Sequence, residues 1–239
     1  MEELAPAGEV LVGGQDDRAV LVEIVDQLEQ VVPSLPGHRQ IAQLIDDQYP
    51  ARIPGTLEAV QAMRRVIQSF RDSDLPVIHV IRLYLPDGSN VDLCRRAAVE
   101  RGARIAIPES DGAELVASLK PNSDTRLNAQ LLLSGGVQEI GRNEFVFFKP
   151  RWGAFYQTGL ENFLRGRGIN TLVFLGCSYP NCPRTSIYEA SERDFRIILV
   201  TDAISQLYPK GEEEMENIGV TLCSSEGLDQ LVRGSICKE

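Results

Sequence analysis

TLVFLGCSYPNCPRTSIYEA, residues Thr171 to Ala190, is the stretch whose reading decides the fold. TLVFLG is almost wholly apolar and ends in glycine, the composition of a strand buried on both faces. PRTSIYEA and the residues after it read as a helix, with Pro183 at the first helical position, where a missing N–H costs nothing. Between them lie two thiols, Cys177 and Cys182, and two prolines, Pro180 and Pro183. A structural turn needs neither thiol. A nucleophile presented at the tip of a strand–turn–helix unit needs one. Cys182 falls at the helix start, where the dipole and the N–H groups favour a thiolate. The opposing reading is a buried, inert thiol, the fate of most free cysteines. Cys177 is the competitor and is expected to pack beneath the turn.

Working outward, strands and helices alternate. EFVFFK, TLVFLG, FRIILVTDA and VTLCS read as strands, with TGLENFLRGRG, GEEEMENIG and EGLDQLVRG as helices between and after them. Upstream, AVLVEIV (Ala19 to Val25) and LPVIHVIRLYL are strands. The helix between them, from Gly55, carries Leu57, Val60, Met63, Ile67 and Phe70 on one face. Nearly continuous apolar strands alternating with helices predict an α/β three-layer sandwich. Its mainly parallel, Rossmann-like sheet would have about six strands, with helices on both faces. Residues 1–239 read as a single domain, interrupted by an excursion at about 92–141 of the kind that forms lids or binding loops.

The net charge of −10 and pI of about 4.8 argue against nucleic acid and anionic membranes as partners. No apolar run approaches the roughly 20 residues of a membrane span. The start, MEELAPAGEV, has neither the basic nor the apolar part of a secretory signal. The five cysteines, Cys94, Cys177, Cys182, Cys223 and Cys237, form no regular framework, so reduced thiols in a cytoplasm are expected.

Ligands of such sheets bind beyond the carboxyl ends of the strands. Three reactive residues fall there: Glu23, Lys149 and Cys182. A carboxylate within an apolar strand is costly unless paired, and the bland reading of Glu23 is a half-buried edge position. Asp26 follows the same strand and competes for the same role. Lys149 stands before a proline at a strand end, where a lysine is usually solvated. His79, inside an apolar strand, reads as a satisfied core or supporting residue rather than a metal ligand.

The run FVFFKPRWGAFYQTGLENFLRGRGINTLVFLGCSYPNCPRTSIYEASERDFRIILVTDAIS, Phe145 to Ser205, resembles the lysine and cysteine blocks of the isochorismatase-like cysteine hydrolases. That superfamily also includes nicotinamidases and N-carbamoylsarcosine amidohydrolases. KPRWGAF matches its lysine block, and Gly176 with Cys182 six positions on matches its cysteine block. The likeness is weaker over 18–85 and loose at both ends and over 100–140. The resemblance implies an amidohydrolase cleaving a C–N bond of a small amide, ureide or carbamoyl compound through a covalent thioester-type intermediate. It implies a catalytic triad of an acid, Lys149 and Cys182. The family's acid ends the first strand in a hhhDxQ pattern; here VLVEIVDQL offers Glu23, with Val25 where the glutamine belongs, and Asp26 stays open. Relatives place a non-proline cis peptide before the cysteine, here at Cys177–Ser178. The implied oxyanion donors are the N–H groups of Cys182 and of Ser178 or Tyr179. Tyr179 itself stands where many relatives carry threonine.

Arg82, Arg151, Trp152, Tyr156, Tyr179 and Arg184 are candidates to line the pocket. Arginines there would suit a carboxylate-bearing substrate, although surface ion pairing is the commoner fate of an arginine. His38 is the only histidine between the first two blocks, and the family's Asp-x-His metal pattern is missing, so neither metal nor cofactor is expected. Relatives are dimers or tetramers, which implies a homo-oligomer with the excursion capping the site. The departures at Val25 and Tyr179 keep an alternative alive: a non-catalytic small-molecule-binding protein on the same fold.

Overall fold

Apolar runs that alternate with helices close here into one sheet, as the computed structural model shows over residues 18–25 and 56–236. The strands are β1 (Ala19–Val25), β2 (Val77–Ile81), β3 (Gln138–Gly141), β4 (Glu144–Phe148), β5 (Thr171–Cys177), β6 (Arg196–Ile204) and β7 (Thr221–Cys223). They lie in the order β3-β4-β2-β1-β5-β6-β7. Every neighbouring pair is parallel except β3–β4. The helices are α1 (Thr56–Asp72), α2 (Leu93–Glu100), α3 (Ala129–Leu133), α4 (Leu160–Gly166), α5 (Cys182–Ser191), α6 (Pro209–Asn217) and α7 (Ser225–Ile236). None of them is long and apolar enough to cross a membrane.

Side chains alternate across a strand, so each strand feeds two cores. Val20, Val22 and Ile24 of β1 join Ile78, Val80, Phe145, Phe147 and Phe174 against α4 and α5. Leu21, Val77, Val173 and Leu175 pack on the other face, against Met63, Val66, Ile67 and Phe70 of α1 and Leu228 and Val232 of α7. The helical face read from the sequence of α1 is the buried one at Val60, Met63, Ile67 and Phe70.

The sheet has seven strands rather than about six. The additional strand, β3, holds Ile140 as its one large apolar residue, too little to signal a strand. It pairs antiparallel with the edge of β4, so tertiary pairing overrides weak propensity. The excursion is packed rather than loose. Leu115, Ala129 and Leu132 bury against Ile81, Leu83 and Val146, and Tyr84, Val91 and Ile105 form a smaller cluster.

Candidate active site

Cys182 is the first residue of α5, fully buried, with Pro183 beside it and Asn181 as the N-cap residue. Its N–H belongs to the first turn, whose donors no intrahelical carbonyl reaches. The loop from β5 is shaped by Gly176 at φ +132°, where a Cβ would stand 2.0 Å from the Ile24 carbonyl oxygen. Only glycine fits that close approach to β1. The Cys177–Ser178 peptide bond is cis, at the position the resemblance implied. Cys177 is buried beneath the turn, in the core against α1 and α7.

Lys149 follows β4 and is fully buried, against the solvated reading of a lysine at a strand end. Its N–H continues the sheet by donating to the Ile81 carbonyl at 2.9 Å, and its Nζ donates to the Trp152 carbonyl at 2.7 Å. The segment after it is fastened to the cysteine helix. Ala154 N–H donates to Ser186 Oγ at 3.0 Å, and Ser186 Oγ donates to the Cys182 carbonyl at 2.7 Å. Phe155 N–H donates to Glu189 at 2.8 Å. A Cβ at Gly153 would stand 2.1 Å from the Glu189 carboxylate, so the small residue lets the loop lie on α5. The lysine and cysteine blocks are one mechanical unit, and Ser186 and Glu189 were missed from the sequence. Their positions one and two turns after Cys182 on a helix face were the available signal.

Glu23 does not face Cys182. It is fully buried, and its carboxylate bonds Nδ1 of His79, directly opposite it on β2. His79 Nε2 donates to Glu144 at 2.7 Å, and Glu144 accepts from Nε and Nη2 of Arg71 on α1 at 2.8 and 2.7 Å. With a carboxylate on each ring nitrogen, His79 carries both protons. Burial opposes that charge, but Glu23 and Glu144 outweigh it and raise its pKa to about 9. Burial likewise opposes ionisation of Glu144, but Arg71 and His79 prevail and hold its carboxyl below the usual range. The row Glu23–His79–Glu144–Arg71 lies on the α1 face, with Leu21 and Leu175, while Cys182 packs in the α4/α5 core with Val22 and Ile24. Glu23 as the base for Cys182 is therefore corrected: strand alternation aims it through the opposite face. Asp26, the competing acid, and His38 lie outside the described residues. Among the described residues no group of three or more His, Cys, Asp or Glu side chains is arranged to hold a metal.

Other candidates sort by their partners. The Tyr179 N–H donates to the Ser205 carbonyl at 2.9 Å, which removes it as an oxyanion donor and leaves Ser178 of that pair. The Tyr179 ring is fully buried rather than lining a pocket, its hydroxyl donating to the Gly211 carbonyl at 2.9 Å; burial pushes its pKa up to about 12. Arg184 is committed to Glu214 at 2.7 Å and the Tyr208 hydroxyl at 2.8 Å, the ion-paired fate weighed above. Arg151 donates to the Asn90 and Pro150 carbonyls, and Tyr156 stands 47% exposed. Arg82 is 1% exposed and reaches Asp92 and, at 2.7 Å, the Tyr84 hydroxyl. Arg95, also buried, donates to that hydroxyl at 3.0 Å and lies 4.5 Å above the Trp152 ring. Asp92 and Arg95 were not singled out in the sequence, because the excursion carries no periodic signal there.

The comparisons agree with this architecture. A probable inactive nicotinamidase of Arabidopsis thaliana is 28% identical over 183 residues, 74% of this chain and 84% of that one. A ureidoacrylate amidohydrolase of Methylobacterium radiotolerans is 27% identical over 66% of this chain, a match spanning 59% of that relative. Among solved structures, N-carbamoylsarcosine amidase from Thermoplasma acidophilum superposes with a TM-score of 0.62 at 25% identity, covering 87% of this chain and 97% of that one. The family model described as the isochorismatase domain matches residues 20–226. That span takes in both the lysine and the cysteine blocks, and the chain belongs to the isochorismatase domain family of hydrolases.

Proposed function

We propose that this chain is a cysteine amidohydrolase that cleaves a C–N bond of a small amide, ureide or carbamoyl compound. One observation carries the reading: Cys182 opens α5 at the carboxyl end of a central strand, and the Lys149 loop is bonded directly to that helix. The thiolate attacks the carbonyl carbon, forming a C–S bond. The oxyanion is met by the N–H groups of Cys182 and Ser178. The amine leaves with a proton as the C–N bond breaks, and water hydrolyses the thioester to the acid. Lys149 supplies positive charge beside these steps. The thiol proton needs an acceptor, and Glu23 is turned away, so Asp26 is the carboxylate to test. The ammonia-release assay on a panel of small amides and ureides, run with Cys182→Ala and Asp26→Asn, checks the reading. Wild-type turnover by Cys182→Ala would refute it.

The position of Glu23 also favours a second reading, a binding protein on the hydrolase fold, and the similar Arabidopsis protein bears the name of a probable inactive nicotinamidase. Thiol alkylation against pH separates the two. An activated Cys182 reacts with iodoacetamide well below the ~8.5 of a free thiol. Slow, uniform labelling of all thiols favours the binder.

A further inference from the structure

We propose that Ser186 is a positioning residue for the reaction: its hydroxyl holds the Lys149 ammonium in register with Cys182. The proposal rests on the reading of Cys182 as nucleophile and Lys149 as its cation, and deepens it by naming what fixes one against the other.

Its first support is a continuous line of hydrogen bonds. Lys149 Nζ donates to the Trp152 carbonyl at 2.7 Å, which ties the ammonium to its own loop. Two residues on, the Ala154 N–H donates to Ser186 Oγ at 3.0 Å, and Ser186 Oγ donates to the Cys182 carbonyl at 2.7 Å. The line therefore runs from the lysine side chain to the backbone of the nucleophile. Ala154 and Ser186 are both fully buried, so water does not replace a bond that is lost there.

Its second support is the chemistry of the serine. Inside a helix a serine commonly turns its hydroxyl proton to the carbonyl four residues back, as Ser186 does to Cys182. The bland reading stops at that bond. Serine is a poorer helix former than alanine, so α5 gains nothing from the hydroxyl as a helix. What the hydroxyl adds is its oxygen, which accepts from a backbone N–H 32 residues away in the sequence.

Its third support is the shape of the lysine loop, which is built to reach α5 at this point. The small residue at Gly153 allows the approach, since a Cβ there would stand 2.1 Å from the Glu189 carboxylate. The Phe155 N–H donates to that same carboxylate at 2.8 Å. Ser186 and Glu189 are three residues apart and share a helix face, so Ala154 and Phe155 meet them in succession. Of the two ties, Ser186 is the one whose hydroxyl also reaches Cys182. A loop free to shift by about 1 Å would misplace the ammonium, an error that costs about a hundredfold in rate at a reacting centre.

The pH dependence of Cys182 labelling by iodoacetamide, assigned by mass spectrometry, reads the position of the ammonium without any substrate. A cation beside a thiol lowers the midpoint of labelling by about one to three pH units. Lys149→Met is expected to raise the native midpoint by that amount, and Ser186→Ala by about one unit. Added to Lys149→Met, Ser186→Ala is expected to raise it no further, because the serine acts through the lysine. Ser186→Thr keeps the hydroxyl and is expected to keep the native profile, and this rescue is the test if Lys149→Met does not fold. Ser186→Cys, whose thiol bonds weakly, replaces the alanine variant if that one does not fold, with a smaller rise expected. A native profile in Ser186→Ala, the same rise with and without Lys149, or no effect of Lys149→Met overturns the proposal alone. A native midpoint near the ~8.5 of a free thiol would sink the nucleophile reading, and the proposal with it.

Discussion

The two faces of the sheet hold their buried charged groups in different arrangements. On the α1 face, Glu23, His79, Glu144 and Arg71 alternate in sign, two carboxylates against an imidazolium and a guanidinium. On the other face, Arg82 and Arg95 both pair with Asp92, and Lys149 donates from Nζ to the Trp152 carbonyl. Alternation of sign ties the first row across three strands and a helix, although Oε1 of Glu23 is buried without a hydrogen-bond partner. The first arrangement is a line of alternating charges and the second gathers two arginines on one aspartate, although both grow from neighbouring strands.

The largest effect that would sharpen this contrast is on the thiols. Cys182→Ala is expected to lower amide hydrolysis by about a thousandfold or more, as loss of a nucleophile does. Cys177→Ser, beneath the turn, is expected to keep most of it. Comparable losses in an ammonia-release assay would erase the distinction between the two cysteines.

The next effect lies on the opposite face. His79→Leu strips the cation from between two buried carboxylates and is expected to cost about 3 kcal/mol or more of stability, read by urea unfolding. An unchanged midpoint would show that the row is not balanced by His79. Glu23→Gln keeps the shape but halves the charge on that side, with an expected loss of about 2 kcal/mol. Its turnover per folded molecule is expected to stay within about threefold, since the face that holds Cys182 is untouched. Lost turnover at unchanged stability would return Glu23 to the chemistry and break the comparison outright.

A pH titration of stability gives a smaller signal with a defined sign. The folded His79 pKa of about 9 stands above its unfolded value of 6.5, so the folded state holds the extra proton between those values. Its contribution is fully present below about 6.5 and is lost as pH rises through about 9. The unfolding midpoint is expected to fall over that window in the native chain and to lose that slope in His79→Leu. The smallest effect is at Pro183, where alanine is expected to lower stability by a few tenths to about one kcal/mol through the unfolded chain. Reduced turnover in the same variant would show that the proline also positions the thiol; unchanged turnover would leave it as a helix start only.

Much of the site was legible in the chain. Lys149, Trp152 and Cys182 sit in contiguous blocks where strand end, turn residues and helix start follow one another, and each of those signals is local. The excursion was not legible. β3 is too polar to announce a strand, and Asp92 and Arg95 acquire meaning only beside Arg82 and Trp152, which the fold brings to them.

The sequence by itself determined the α/β class, the parallel core and the placement of Cys182 at a helix start, because apolar runs, glycine and proline act through the backbone of their own neighbourhood. It did not determine which way Glu23 points. A strand turns successive side chains to opposite faces, so one position decides between the thiol and α1. That position is set by the pairing of β1 with β2 and β5, which places Glu23 opposite His79 and Leu175. The partner that Arg82 lacks was likewise invisible in the chain, since only packing reveals which hydrogen-bond donors have been sealed from water without an acceptor.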